Sequence, residues 1–370
     1  MLFLVSDDLR PELGVYGGKA ITPNVDKLAK SPGAVVMERS YVQQAICCPT
    51  RSSFLTGRRP DTTKVWDLHT HFRASGGAFT TLPQFFLQNG WYSMGMGKVF
   101  HPVKDPATGL ADDVGFSWSG PYFRAPAEPE ACEGGHCLGG NMTMCWNENT
   151  QEDDGYYVDT ANARHGVAIM RNASKSSQPF FIAVGIHRPH LPWDVPAHYY
   201  SLYPSAEDTA LADHNTMPKN YGAAQQWSWD PQSGPRHCGP LNALSDPEAP
   251  GGVKMGQYAL VPDDVARNFR RGYYAAVSSM DYNMGLVLDE LTALQLDKKT
   301  IVVFLGDHAW QLGDIGEFGK KTNFERATRT PLIFRVPPAL LGAEAAAAHA
   351  AARGPDGVVR SHALVEFVDM

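Results

Sequence analysis

The chain has 370 residues, a formal net charge of −7 and 43% hydrophobic residues. That length fits one large α/β unit with an addition, or about two domains. An acidic balance without a basic stripe argues against nucleic acid as a partner, and no apolar run reaches the roughly 20 residues of a transmembrane helix. The first predicted element is a buried strand at residues 2–6, directly after Met1, with no signal-peptide h-region or cleavage site. The far end, "HALVEFVDM", reads as an amphipathic helix stopped short, so both termini are expected to be cut.

Residues 45–60, "AICCPTRSSFLTGRRP", carry the next helix. Pro49 suits its first turn, where a missing N–H costs nothing, and Gly57 suits the position just past its end. Cys47 then lies at about the N-cap, where the dipole and free N–H groups favour negative charge, with Arg51 one turn on along the same face. Three fates fit such a thiol: an ordinary buried cysteine, a nucleophile of lowered pKa, or a precursor oxidised after synthesis. His69, His71 and Arg73 follow, facing either substrate carboxylates or solvent.

Residues 82–88 predict a helix with one apolar face. Cys132, Cys137 and Cys145 crowd a Gly-rich loop with His136, and Cys238 lies apart. No CxxC pair supports zinc, so a loop disulfide in an oxidising compartment is the better reading. Sequons at Asn141 and Asn172 fit secretion. A helix at 157–170 precedes a strand at 180–186, "FFIAVGI". Residues 197–262 are rich in Pro, Gly, Asn and Trp without a period, as in a lid. A long helix at 263–296, opened by Asp263 and Asp264, leads to strands at 301–305 and 332–336. The Ala-rich run 342–354 reads as a surface helix or insertion. Short apolar strands alternating with helices predict an α/β sandwich, its sheet buried on both faces. It fills residues 1–340, with 341–370 as an insertion and the start of a further part.

In open α/β sheets, ligands collect beyond the carboxyl ends of strands. The strand at 2–6 is followed by Asp7 and Asp8, that at 301–305 by Asp307 and His308, and that at 180–186 by His187 and His190. Two carboxylates about 4 Å apart repel by roughly 4 kcal/mol at an effective dielectric near 20. Three together call for a cation or shifted protonation. Oxygen ligands point to one hard divalent ion, Ca²⁺ ahead of Mg²⁺. His308 either joins them or hydrogen-bonds to what the metal binds.

Cys47 alone has Pro at +2 and Arg at +4, and Cys48 fills the variable position. This Cys-x-Pro-x-Arg pattern resembles the signature of type I, formylglycine-dependent sulfatases of the alkaline phosphatase superfamily. "GWYSMGMGKVFH" resembles the family's second signature, with Lys98 and His101, and "GDHAWQLGDIGEFGK" resembles its late metal strand with Lys320 beyond it. "VSDD" matches the first metal pair. The motifs are collinear over essentially the whole chain. "GRRPDTT", "AVGIHRPHLP" and "RRGYYAAVSSMDYNMGLVLDEL" look most like the iduronate-2-sulfatase group, where the step from Cys132 to Cys145 also resembles a disulfide.

The resemblance implies a three-layer sandwich with a large mixed, mostly parallel sheet, and a smaller C-terminal subdomain that is largely absent here. It implies that Cys47 is converted to Cα-formylglycine by a formylglycine-generating enzyme, and that its hydrate attacks a sulfate ester on a sulfated carbohydrate. Ca²⁺ would be held by Asp7, Asp8, the modified Cys47, Asp307 and His308. His190 would protonate the leaving oxygen, Lys98 and Lys320 would neutralise sulfuryl oxygens, His101 would take a proton from the second hydroxyl, and Arg51 would hold the modified residue. A secretory route to the lysosome or outside the cell is implied too. Thr50 stands where the signature has Ser, Ala309 replaces a common Gly, and Ile315 replaces a His, which bears on substrate preference. Two rivals remain: a phosphonate or phosphodiester hydrolase of the same superfamily, and an inactive carbohydrate-binding descendant.

Overall fold

The first strand, β1 (Leu2–Asp7), is buried along its whole length because helices cover both sides of its sheet. The computed structural model describes residues 1–126, 136–137, 145–149, 157–214 and 263–370. After β1 come strands β2 (Ala34–Tyr41), β3 (Tyr92–Gly97), β4 (His136–Cys137), β5 (Cys145–Asn149), β6 (Phe180–Pro189), β7 (Trp193–Pro196), β8 (Val302–Gly306), β9 (Gln311–Asp314), β10 (Glu317–Gly319), β11 (Leu332–Arg335) and β12 (Arg360–Glu366). The helices are α1 (Pro23–Lys30), α2 (Cys47–Thr56), α3 (Pro60–Thr63), α4 (Phe72–Ser75), α5 (Leu82–Gln88), α6 (Val158–Ala173), α7 (Ala197–Tyr200), α8 (Asp263–Ala293), α9 (Glu325–Thr328) and α10 (Ala343–Ala351).

Among the described residues the main sheet has seven strands in the order β12-β2-β11-β8-β1-β6-β3. β11 runs against β2 and β8, and every other neighbouring pair is parallel. The period-2 alternation of a strand sorts β1 between two cores. Leu2 and Leu4 join residues of α1, α6 and α8 on one face. Phe3 and Val5 join Phe54 and Leu55 of α2 on the other, with Leu82 and Phe86 of α5 packed against them. The expected sandwich is the observed one.

Two elements differ from the sequence reading. "HALVEFVDM" is strand β12 ending in a single 3-10 turn, Phe367–Asp369, and not an amphipathic helix. The helical spacing of its apolar residues is overridden by parallel backbone pairing to β2. In 197–262, residues 197–214 hold α7 and turns, and the rest lies outside the described residues. Strands β2 and β3 escaped the sequence reading: "AVVMERSY" is half polar and "YSMGMG" lacks branched residues.

Two glycines let backbones meet where β3 leaves the sheet. A Cβ on Gly185 would lie 2.1 Å from the Lys98 carbonyl carbon. Gly97, at φ 70°, sits against the Gly185 carbonyl in the same way. The Lys98 N–H donates to that carbonyl at 3.0 Å, which fixes the start of the Lys98 segment against β6.

The hairpin joining β9 to β10 pairs Asp314 with Glu317, leaving Ile315 (φ 52°) and Gly316 (φ 77°) as its two central residues. Both are left-handed, as in a type I′ turn, where Asn-Gly is favoured. A β-branched residue there is strained by about 1–2 kcal/mol. Ile315→Asn should therefore raise the thermal midpoint by about 1–3 °C. An unchanged or lowered midpoint in a calorimetric scan would show that Ile315 gains more from its side-chain contacts than it loses in its backbone.

Candidate active site

β1 and β8 pair in register from Leu2–Val302 to Ser6–Gly306, so Asp7, Asp8 and Asp307 leave the sheet side by side. The Asp307 N–H donates to the Ser6 carbonyl at 2.9 Å, and the Asp8 N–H to Asp307 Oδ1 at 3.0 Å. Helix α2 arrives with its N-terminus at the same edge. Ile46 is its N-cap and Cys47 its first residue, one step inside the expected cap position, and Gly57 ends it in the left-handed conformation at φ 62°. All ten residues of α2 are buried.

Cys47 is the hub. Its Sγ lies 3.4 Å from Asp7 Oδ1, 3.3 Å from His308 Nε2, 3.2 Å from Lys320 Nζ and 3.7 Å from Lys98 Nζ. Burial and Asp7 push the thiol up, yet Lys320, Lys98 and His308 together hold it well below its ordinary value. Burial also opposes charge on Asp7, but Lys98, ion-paired to Asp7 Oδ2, leads the cations that hold that carboxyl well below the usual range. Asp8 and Asp307 are raised, chiefly by burial, although Lys320 and Arg51 respectively pull each of them down.

The ligand atoms of Asp7, Cys47, Asp307 and His308 all lie within 4.8 Å of one another. Asp8 falls in an adjoining group with Asp7, Cys47 and His190. Its Oδ1 accepts from Lys320 at 2.6 Å, while its Oδ2 is buried without a hydrogen-bond partner. Buried, raised carboxylates and an orphaned carboxylate oxygen are what a divalent cation would satisfy. The sulfur is the one soft donor, beside carboxylate oxygens and an imidazole. An oxygen in its place would complete a set suited to Ca²⁺.

Arg51 is fully buried and spans the acids. Its Nε donates to Asp307 Oδ2 at 2.9 Å, its second terminal nitrogen lies 3.3 Å from Asp7 Oδ2, and its first bonds the Lys98 and Val99 carbonyls. The Thr50 hydroxyl donates to the Asp307 carbonyl at 2.8 Å. Thr keeps the hydroxyl that Ser would offer.

A sequence model described as Sulfatase matches residues 1–353. The chain belongs to the sulfatase family. It is 36% identical to iduronate 2-sulfatase of Homo sapiens over 343 residues, covering 91% of this chain and 59% of that protein. The mouse enzyme, from Mus musculus, gives 36% over 342 residues with the same coverage. The chain thus spans 59% of the length of these relatives. Among solved structures, the complex of BT4656 with D-glucosamine-2-N,6-O-disulfate superposes with a TM-score of 0.66 at 20% identity, covering 100% of this chain and 74% of that one. Phosphonate monoester hydrolase from Silicibacter pomeroyi does so at 0.67 and 21%, covering 100% and 71%. At such identities the structures speak for the fold alone.

In this sulfatase fold the predicted residues are distributed as follows. Asp7, Asp8, Cys47, Arg51, Lys98, His190, Asp307, His308 and Lys320 converge. His190 Nε2 lies 3.9 Å from Asp8 Oδ2, and its Nδ1 meets the Leu191 carbonyl at 2.8 Å. Burial, with Lys98 and Lys320, holds it well below the ordinary histidine value. The His187 ring lies beside it, tilted by 45° with centroids 4.6 Å apart, and bonds the same carbonyl at 3.2 Å. His101 lines a small adjoining cavity with Cys48, Ser52 and His71. Burial and Lys98 lower it to about 4, and its buried Nδ1 has no hydrogen-bond partner. Arg73 is spent on Asp113 and the faces of Phe72 and Phe116, so it does not face the site. His69 is exposed. The side chains of Cys132, Cys137, Cys145 and Cys238 lie outside the described residues, as does Asn141, while Asn172 is exposed on α6.

Two contributors were missed from sequence. The Trp310 ring lies 5.5 Å from the Lys320 ammonium, and an aromatic two residues after Asp307-His308 was its signal. Asp159, in the first turn of α6, accepts from the His187 and Arg188 N–H groups at 2.6 and 2.8 Å, fixing the strand end that leads to His190. It looked like an ordinary helix-start acid.

Proposed function

We propose that this chain is a sulfuric ester hydrolase acting on a sulfated sugar or glycan, in the manner of an iduronate 2-sulfatase. The observation that carries this reading is the setting of Cys47, a buried sulfur ringed by two lysines, a histidine and an aspartate at a helix N-terminus. Its Sγ stands in for the oxygen that conversion to formylglycine would place there. Asp7, Asp307 and His308, with Asp8 through its free oxygen, would hold Ca²⁺ against that oxygen. When bound, the ion supplies Lewis acidity and a template for the sulfate.

The remaining work falls to the chain. The hydrated side chain at position 47 supplies the nucleophilic oxygen. Lys98 and Lys320 face that position and stabilise charge gathering on sulfuryl oxygens. Burial and two lysines favour the neutral imidazole at His190. An arriving sulfate adds the negative charge that lets it hold the proton for the leaving alcohol. His101, lowered by burial and Lys98, takes the proton of the second hydroxyl as sulfate leaves position 47 and the aldehyde forms again. Arg51 keeps Asp7 and Asp307 in place beside position 47. Maturation by a formylglycine-generating enzyme and a secretory destination, lysosomal or extracellular, belong to the same proposal. Among the described residues no helix is long and apolar enough to cross a membrane.

Peptide mass spectrometry across residues 45–58, on protein from its native host, should show position 47 lighter by about 18 Da than cysteine. The same protein should hydrolyse a sulfate ester faster than a matched phosphodiester. Unmodified Cys47 would overturn the mechanism, and a preference for the phosphorus ester would favour a phosphonate hydrolase. Carbohydrate binding without turnover would favour the inactive descendant.

A further inference from the structure

Beside the active site lies a second cavity of about 410 Å³, lined by Gln43, Arg59, Asp61, Trp66, Lys321 and Asn323 among others. The proposed chemistry uses none of these side chains. The walls nevertheless continue the two segments that carry the site. Ala45 and Ile46 lead directly into Cys47, and Lys321 and Thr322 follow Lys320. The walls are tied together: the Lys321 N–H donates to the Ala45 carbonyl at 3.1 Å, and Gln44 Nε2 to the Trp66 carbonyl at 2.9 Å.

The lining has the chemistry of a sugar site. Trp66 is 50% exposed, so its ring offers apolar surface to the cavity. The Lys64 ammonium lies over the ring, 5.7 Å from its centroid. Gln43 keeps both amide atoms buried with no hydrogen-bond partner, a cost that a ligand hydroxyl would offset. Two cations outnumber one acid. Arg59 is already ion-paired to Glu366, which leaves Lys321 for an anionic group.

We infer that this cavity holds the sugar next to the one bearing the scissile sulfate, stacked on Trp66, with its carboxylate or sulfate on Lys321. The inference rests on the sulfated-glycan reading and assigns the side chains that receive the neighbouring sugar. A flat apolar ring flanked by hydrogen-bonding groups suits a pyranose, which offers C–H faces and hydroxyl edges.

The test compares wild type, Trp66→Ala and Lys321→Ala, each with position 47 converted, on nitrophenyl sulfate and on a sulfated, uronic-acid-containing tetrasaccharide. Each variant should lose about tenfold more kcat/KM on the tetrasaccharide than on nitrophenyl sulfate, mainly through KM. Equal losses on the two substrates, or no loss on the tetrasaccharide, would overturn the subsite. If Trp66→Ala fails to fold, Lys321→Ala carries the comparison. If wild type hydrolyses neither ester, the sulfatase reading fails. Calorimetric titration with the desulfated tetrasaccharide then judges the cavity alone. Weaker binding in the variants supports it, and equal or absent binding to wild type and variants overturns it.

Discussion

Cys47→Ala should abolish sulfate-ester hydrolysis, with kcat/KM falling by about 10⁴-fold or more relative to the matured protein. The expectation follows from position, since no other described side chain is centred among Asp7, His308, Lys98 and Lys320. The substitution removes the nucleophile and leaves two ammonium groups facing an apolar methyl. Their partners Asp7 and Asp8 remain, so the fold should hold. The measurement pairs initial rates on a sulfated glycan with a thermal scan. Activity within tenfold of wild type in a folded Cys47→Ala protein would remove position 47 from the reaction.

Asp307→Asn should be the most damaging single change to the acids. Asp307 Oδ2 takes the Arg51 Nε, and Oδ1 takes the N–H groups of Asp8 and His308. Halving the charge opposite a fully buried guanidinium costs about 3–5 kcal/mol, because Arg51 cannot shed its proton. The same change removes a ligand from the candidate cation site. Wild type in Ca²⁺ at about 100 times its Kd should gain about 2.7 kcal/mol of stability. Asp307→Asn should gain none, and its rate on a sulfated glycan should fall by about 10³-fold or more. Chelation followed by Ca²⁺ should lower and then restore both readouts in wild type only. A Ca²⁺-dependent rise in midpoint that survives in Asp307→Asn would place the ion elsewhere.

What the sequence disclosed divides along physical lines. The fully buried strands were legible because burial on both faces writes a continuous apolar run, as in β1, β6 and β8. β3 was not, because Gly95, Met96 and Gly97 serve close packing, and glycine carries no pattern. The acids at strand ends pointed to a cation, and the signature around Cys47 pointed to the family. Roles mediated by backbone were invisible. The contacts of Arg51 with two carboxylates and with the Lys98 and Val99 carbonyls carry no sequence pattern. Thr50 read as a departure until its hydroxyl was seen bonded to the Asp307 carbonyl. β12 misled because a solitary edge strand can show helical spacing, and only the partner beside it decides.

The burial of α2 sets an order of events. Every residue from Cys47 to Thr56 is sealed in the folded protein, including the Pro and Arg that distinguish Cys47 from Cys48. On the proposed reading, an enzyme that recognises this segment can reach it only while the chain is open. Conversion and folding therefore compete in time. A polypeptide that closes first traps an unconverted thiol, and only unfolding would offer it again. The active fraction of a preparation should then record how long nascent chains stayed open, independently of how stable the finished fold is.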